Sequence, residues 1–594
     1  MAKRIAAEDL LERLIEWGVD TVFGLPGDGI NGIMEGLRRH ADRIRFVLVH
    51  HEEAAAFMAC AYAKVTGRIG VCLATSGPGG IHLLNGLYDA KLDHAPVLAI
   101  TGMQETSVLG TGYQQEVHLD HVFADVAEFN EIVAAPVAIP ALVDKAIRTA
   151  LATRGVSHLT FPNDLQVAEA GAAPYPTVAP VRAPATAPGY TGPSGLPRPD
   201  DVQRAAEILN AGEKVAMLVG QGALGARGEV LQVAELLGSP IVTSLLGKAV
   251  VPGDHPLTTG GLGLLGTKPS EAVMAEADTL LMVGTSFPYT AHLPGPDEVK
   301  TVQIDLDPAR AGSRMPTAVP IVADAAETLK ALIPLLERKP DRSFLSDAQR
   351  TTAKWREDLA ALEDGDRDPV QPQYAMGVLS RLASDDAILA CDSGTVTTWA
   401  ARHWQIRGDR QFHVSGTLAS MACALPYSIA AQWAHPGRQC IAYAGDGGFA
   451  MLMAELSTAV RYRLPVKVVI NNNAALGMIE WEQVVLGNPE SGVRFTDAEG
   501  APAPMRFASF ASSIGALGIQ VDKAAEVEAA IARALAHPGP ALVDIAVNPH
   551  EPPTPGKIQF KQAKGFAEAF LRGEPDKLDV AKTLVRDTVD KLRP

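Results

Sequence analysis

The chain has 594 residues and a mass of 62.6 kDa, which at about 150 residues per domain predicts three or four domains. Hydrophobic residues make up 47% and charged residues 20%, enough apolar material for several cores, so wholesale disorder is excluded. The 52 basic and 68 acidic residues leave a net charge of −16, which argues against a general nucleic-acid binder and, more weakly, against a polybasic membrane anchor.

The opening MAKRIAAEDLLERLIEWG breaks any apolar core of a signal peptide with charges and reads as an amphipathic helix. From 1 to 170 the chain alternates apolar strands with amphipathic helices, with strands expected at 21–25, 45–50, 70–75 and 95–100. Residues 171–199 carry eight prolines and read as an extended linker. A second α/β stretch runs from 200 to 335, with strands at 215–220, 240–245, 279–284 and 301–306. Residues 336–370 read as a helix plus linker. A third α/β stretch, 371–550, has strands at 387–392, 440–445, 466–471 and 541–547. The tail, 551–594, ends in an amphipathic pattern with Leu578, Ala581, Leu584, Val585, Val589 and Leu592 on one stripe. The expected fold class is therefore α/β, three parallel-sheet domains and a helical tail. No apolar run approaches the roughly 20 residues of a membrane span. Cys60, Cys72, Cys391, Cys423 and Cys440 form no CxxC and are expected to be buried, inert thiols. A cytoplasmic protein is the expectation.

The strongest local signal lies in the third stretch. Strand CIAYA runs into Gly445-Asp446-Gly447-Gly448, and a helical stretch then leads to strand VKVVI and Asn471-Asn472-Asn473. Asp446 and Asn473 are 27 positions apart, one strand–helix–strand crossover, which brings a carboxylate and an amide oxygen to neighbouring strand ends. Mg2+ wants such hard oxygen ligands together with phosphate, and the glycines admit a diphosphate close to the backbone. A lone Gly-Asp-Gly is weak evidence. Gly27-Asp28-Gly29 also follows a strand, but 27 positions further on stands Ala55, which offers no ligand.

This spacing resembles the diphosphate motif of thiamine diphosphate enzymes. The resemblance implies Mg2+ held by Asp446, Asn473 and the carbonyl of Ala475, with Asn472 as the other frame of the triple Asn. It also implies a glutamate on the aminopyrimidine ring: HHEEAAAF offers Glu52, with Glu53 as the alternative. The runs Thr75–Ala90, Asp93–Val97 and Gly112–Glu116 are similar to the pyruvate oxidase branch, which includes bacterial pyruvate:quinone dehydrogenase, and KIQFKQAKGF at 557–566 is similar to the tail of that quinone-dependent enzyme. By that likeness Gly27, Thr75, Pro78, Asn85, Gly445, Gly447, Gly448 and Gly477 contact the cofactor, and Met421 wedges its rings. The substrate pocket would hold Gln114, Gln115, Met478 and Glu482. Glu482 matches the oxidases. Met478 looks like the acetolactate synthases, Trp481 stands one place from their tryptophan, and Gln114 replaces an aromatic residue.

In the second stretch GQGALG is a weak dinucleotide fingerprint. The next strand ends Thr243-Ser244-Leu245 without the acid that NAD requires. The resemblance instead implies FAD on Gly220, Gly222, Thr243, Gly284, Thr285, Ser286, Asp305, Asp307, Arg310, Asp324 and Ala325, an empty structural domain being the alternative. The three domains are then pyrimidine-binding, FAD-type and diphosphate-binding. The implied reaction is decarboxylation of a 2-oxo acid, pyruvate first, with electrons passing through FAD to quinone or oxygen. The alternative is an acetolactate-type carboligase with structural FAD, or a cofactor-binding homologue without activity. The family places the cofactor between the first domain of one subunit and the third of another, so a homodimer or homotetramer is implied. In the quinone-dependent relative the tail meets the membrane. Here its mixed polar face favours packing on the body over contact at the inner membrane face.

Overall fold

A computed structural model describes residues 3–172, 190, 195–553, 564–565, 568–569, 572 and 578–583. The chain folds into three six-stranded sheets whose neighbouring strands run parallel. The first sheet holds β1 (Thr21–Gly24), β2 (Arg45–Leu48), β3 (Gly70–Ala74), β4 (Val97–Met103), β5 (Ala127–Ile132) and β6 (Val156–Pro162) in the order β2-β1-β3-β4-β6-β5. The second holds β7 (Val215–Val219), β8 (Ile241–Thr243), β9 (Thr258–Gly261), β10 (Thr279–Val283), β11 (Lys300–Asp305) and β12 (Val319–Val322) in the order β12-β11-β10-β7-β8-β9. The third holds β13 (Ile388–Cys391), β14 (Gln411–His413), β15 (Cys440–Gly445), β16 (Lys467–Asn472), β17 (Leu517–Val521) and β18 (Ala541–Ala546) in the order β14-β13-β15-β16-β18-β17. The first and third sheets thus repeat one topology.

Central strands such as GVCLA, VAMLV and ILAC are buried along their whole length, as continuous apolar runs covered by helices on both faces should be. The strands without such runs are mostly edges: AEFNEI, TTGG and the three-residue QFH pair on one side only. The exception is β6, a central strand interrupted by Ser157, His158 and Thr160, whose side chains are buried. His158 is satisfied by Thr101 and Asn130, each at 2.8 Å, and stacks on Phe123.

The helices that position the site are α1 (Glu52–Thr66), α2 (Ser343–Ala361), α3 (Thr395–His403), α4 (Ala424–Ala434), α5 (Asp446–Leu452) and α6 (Gly477–Val485). Most of the stretch expected as helix plus linker is α2. The expected 171–199 linker and the 557–566 segment lie almost wholly outside the described residues. Of the tail, residues 578–583 are helical, with Val580 and Thr583 buried and Leu578 69% exposed. The inward face there is not the one that the apolar stripe put Leu578 on. The rest of that stripe lies outside the described residues. All five cysteines are buried and unbridged. No helix among the described residues is long and apolar enough to cross a membrane.

The first and third domains share one core, in which α1 packs on α4. At its centre Lys64 donates to Asp93 at 2.8 Å, to Tyr427 at 2.7 Å and to the Val414 carbonyl, while Tyr427 donates to Asp89. Burial works against the Lys64 charge, but Asp89 and Asp93 outweigh it and hold the ammonium above its ordinary range. Removing one partner of such a buried cluster strands the others. Lys64→Met should therefore cost about 3–5 kcal/mol in urea denaturation. A loss under about 1 kcal/mol would show instead that Asp89 and Asp93 do not depend on the ammonium.

Candidate active site

In a doubly wound sheet, ligands bind where the strand order reverses, beyond the carboxyl ends of the strands. The reversals fall between β1 and β3, between β7 and β10, and between β13 and β15. The residues singled out in the sequence collect at these three places.

At the third reversal β15 ends on Gly445, and Asp446 opens α5. Asp446 is buried, its Oδ2 has no hydrogen-bond partner among the described residues, and burial lifts the carboxyl to about 7. Across the crevice the chain turns at Ala474, whose φ of 54° is left-handed, and carries Asn473 and the Ala475 carbonyl back toward Asp446. The Asn473 amide lies 2.9 Å from Ala475 O and 3.1 Å from Asp446 Oδ1. Two orientations are open to it. With nitrogen inward it donates to both oxygens. With oxygen inward three oxygens converge, an arrangement that only a cation stabilises. Adjacent ligands around an octahedral Mg2+ at about 2.1 Å are themselves about 3.0 Å apart, so the residues fit that ion. The other two asparagines are committed elsewhere: Asn471 donates to Tyr443 at 2.7 Å, and Asn472 to Asp544 and the Met505 carbonyl, each at 3.0 Å. Only Asn473 of the three is turned to Asp446.

Sequence reasoning missed Asp392, which follows β13 as Asp446 follows β15. It is fully buried, pushed up to about 7 by burial, and takes hydrogen bonds from the backbone of Ser393, Ala422 and Cys423. A Cβ on Gly448 would lie 2.0 Å from its Oδ2, so this glycine is required by Asp392 as well as by any diphosphate. The strand-Asp-x-Gly pattern of Cys391–Gly394 was the available signal. Asp392 holds the loop carrying Met421, whose Cε reaches to 3.5 Å from a Cβ built on Gly447. In that loop Ala419 and Ala422 have φ of 58° and 72°, positions where glycine would cost nothing and alanine costs about 1 kcal/mol. Gly477 opens α6 with its Cα side against the Asn473 amide.

The first reversal carries the acid. Glu52 is the first residue of α1, and its buried carboxylate meets His82 Nδ1 at 2.9 Å through Oε2 while Oε1 faces Gly79. Glu53 is engaged differently: it accepts from Asn85, which also donates to Ser420, the neighbour of Met421. His51 stacks on His82 with ring centroids 4.5 Å apart. Gly27 packs on Thr75, and Gln115, at a φ of 61°, accepts from Ser76 at 3.3 Å. His82 is a site residue that the sequence did not single out. Pro78, Gln114 and Glu482 are exposed and Met478 is half-buried. Among the described residues no hydrogen bond joins Gln114, Met478 or Glu482 to Glu52. Trp481, by contrast, is buried inside the third domain beside Trp399 and Asn473.

At the second reversal Gly220 and Gly284 meet backbone to backbone, and a Cβ on Gly220 would sit 2.5 Å from Gly284 O and from Thr285. Thr243 ends β8 and is buried. Arg310 donates to Asp307 at 3.0 Å and reaches Ser286 at 3.4 Å, and Asp305 accepts from the Asp307 amide. Asp324 is used as a helix cap, accepting from Glu327 N ahead of the helix that begins at Ala325. Burial lifts the carboxyl of Asp305. Burial first, then Arg310 and Arg154, hold His94 of the first domain down at about 4.

Three family descriptions match the chain: the thiamine pyrophosphate enzyme N-terminal TPP binding domain over residues 4–123, the central domain over 202–332 and the C-terminal TPP binding domain over 392–545. A Bacillus subtilis protein, YdaP, described as thiamine pyrophosphate-containing, is 43% identical, covering 96% of each chain. The pyruvate oxidase of Lactiplantibacillus plantarum is 33% identical over 95% of this chain and 93% of its own. The acetolactate synthase isozyme 1 large subunit of Escherichia coli is 30% identical over 96% and 97%. The chain belongs to the thiamine pyrophosphate enzyme family. Its cofactor is thiamine diphosphate, and its relatives include both oxidases and carboligases of 2-oxo acid chemistry.

Proposed function

We propose that this enzyme decarboxylates a 2-oxo acid, pyruvate first among them, and passes the electrons through FAD to a quinone or oxygen. The observation that carries the oxidase over the carboligase is the division between Trp481 and Glu482. Trp481 is buried in its own domain, while Glu482 stands on the open face of α6. The side chain available at that face is thus the oxidase-like carboxylate.

Thiamine diphosphate, when bound, supplies the electron sink for loss of the carboxylate. The protein's part is to hold and time protons and charge. Asp446, Asn473 and the Ala475 carbonyl hold Mg2+, whose charge offsets the diphosphate. Glu52 holds a proton at the aminopyrimidine, with His82 fixing the carboxylate's orientation from its other oxygen. Met421 fills the space beside Gly447 and keeps water from it. The Gly220–Gly284 crossing, where small residues admit a pyrophosphate, would hold FAD together with Arg310 and Asp305. The Glu52 and Asp446 of one site come from two chains, in a homodimer or homotetramer. The second reading, an acetolactate-type carboligase, is favoured by Met478.

An anaerobic visible spectrum with thiamine diphosphate and Mg2+, taken before and after pyruvate, separates the two. The flavin band should bleach. A flavin that stays oxidised while CO2 is released would assign the carboligase.

A further inference from the structure

A narrow crevice that opens to solvent lies between the second and third domains, walled by β8, β9, α2 and the far end of α3. Three cations line it and no acid does. They are graded by depth. Arg402, 8% exposed, lies at the bottom, Lys248 is half-buried, and Arg356 is exposed at the rim.

Arg402 makes no ion pair among the described residues, and its Nε and Nη2 have no hydrogen-bond partner although both are buried. Trp355 adds an indole N–H in the same condition. Lys248 spends one bond on the Ala401 carbonyl at 2.7 Å, and Arg356 one on the Gly253 carbonyl at 2.8 Å. Burial alone pushes Lys248 down to about 8 and Arg402 to about 10. The nearest acid acting on them is Asp254, which acts on Arg356.

Unpaired buried donors are costly, and a fork of Nε and Nη2 matches two oxygens of one oxyanion. One negative charge would leave the cluster cationic, so a phosphoryl group suits it better than a single carboxylate. The remaining wall is apolar: Trp355, Leu245, Val251, Leu359 and Ile406. Of the residues assigned to the flavin only Thr243 borders this space. We infer that the crevice binds an organic phosphate, its phosphoryl group on Arg402 and Lys248 and its body against Trp355. The helix that carries Arg402 begins at Thr395, whose side chain touches Gly477 at the metal site, so a ligand here braces the helix that ends at both places.

The test is calorimetric titration of ADP, inorganic pyrophosphate and malonate into protein already saturated with thiamine diphosphate, Mg2+ and FAD. ADP should bind saturably, one per chain. Its Kd should rise at least tenfold in Arg356→Gln and in Lys248→Met, with flavin content unchanged. Neither variant removes the deepest side chain, so both should fold. The assignment is overturned if ADP and pyrophosphate show no saturable binding, which would leave Arg402 to water. It is also overturned if both variants bind ADP as the parent does, or if malonate binds as tightly as ADP. ADP binding seen only in protein stripped of FAD would place the ligand in the flavin site and likewise overturns the assignment.

Discussion

Glu52→Gln should lower kcat by about 10²–10⁴-fold, the range that a positioned acid–base group supplies. Glutamine keeps the volume and one hydrogen-bonding oxygen for His82, so the packing against Gly79 should survive. What it loses is the ability to exchange a proton. Thiamine diphosphate should therefore still bind, within a few fold by fluorescence titration, and far-UV circular dichroism should be unchanged. Glu53→Gln is the internal control, because Glu53 is engaged by Asn85 and not by His82. Its effect on kcat should stay under tenfold. Equal losses in the two variants would sink the assignment of Glu52. An unchanged rate in Glu52→Gln would leave a cofactor-binding protein whose chemistry lies elsewhere.

Asp446→Ala should weaken Mg2+-dependent binding of thiamine diphosphate by at least about 100-fold, the upper end of what loss of a mere outer-sphere partner costs. The carboxylate is the one charged member of a three-oxygen set, and its Oδ2 has no partner to lose among the described residues. The fold should tolerate the change, since burial of that carboxyl without a cation is itself unfavourable. A higher melting temperature without cofactor, together with lost binding, is the expected signature. Asn472→Ala should behave in the opposite way: it releases the buried Asp544 and should destabilise the protein by about 1–3 kcal/mol while leaving Mg2+ affinity within a few fold. If Asn472→Ala abolished Mg2+ binding and Asn473→Ala did not, the ligand set would have to be redrawn.

Most of the strands and the candidate metal pair were legible because both are written locally. Apolar runs such as VAMLV and ILAC specify buried parallel strands, and one strand–helix–strand crossover fixes the distance from Asp446 to Asn473. Edge strands were less legible: AEFNEI and TTGG need a neighbour on one side only and carry little apolar signal. β6 was hidden by the polar residues that its partners satisfy.

Other features depend on residues far apart in the chain. Asn471, Asn472 and Asn473 are alike in sequence, and their partners, Tyr443, Asp544 and Asp446, are assigned by opposite faces of β16 for the first two and by the turn that follows the strand for the third. Glu52 and Glu53 are separated by His82 and Asn85 on the next helices. Asp392 becomes part of the site because β13 lies beside β15, and Arg402 comes to line a crevice because the end of α3 stands beside β8, β9 and α2. Spacing along the chain thus set the elements and the candidate chemistry. Burial and pairing, which choose among identical side chains, follow from contacts between segments that only packing brings together.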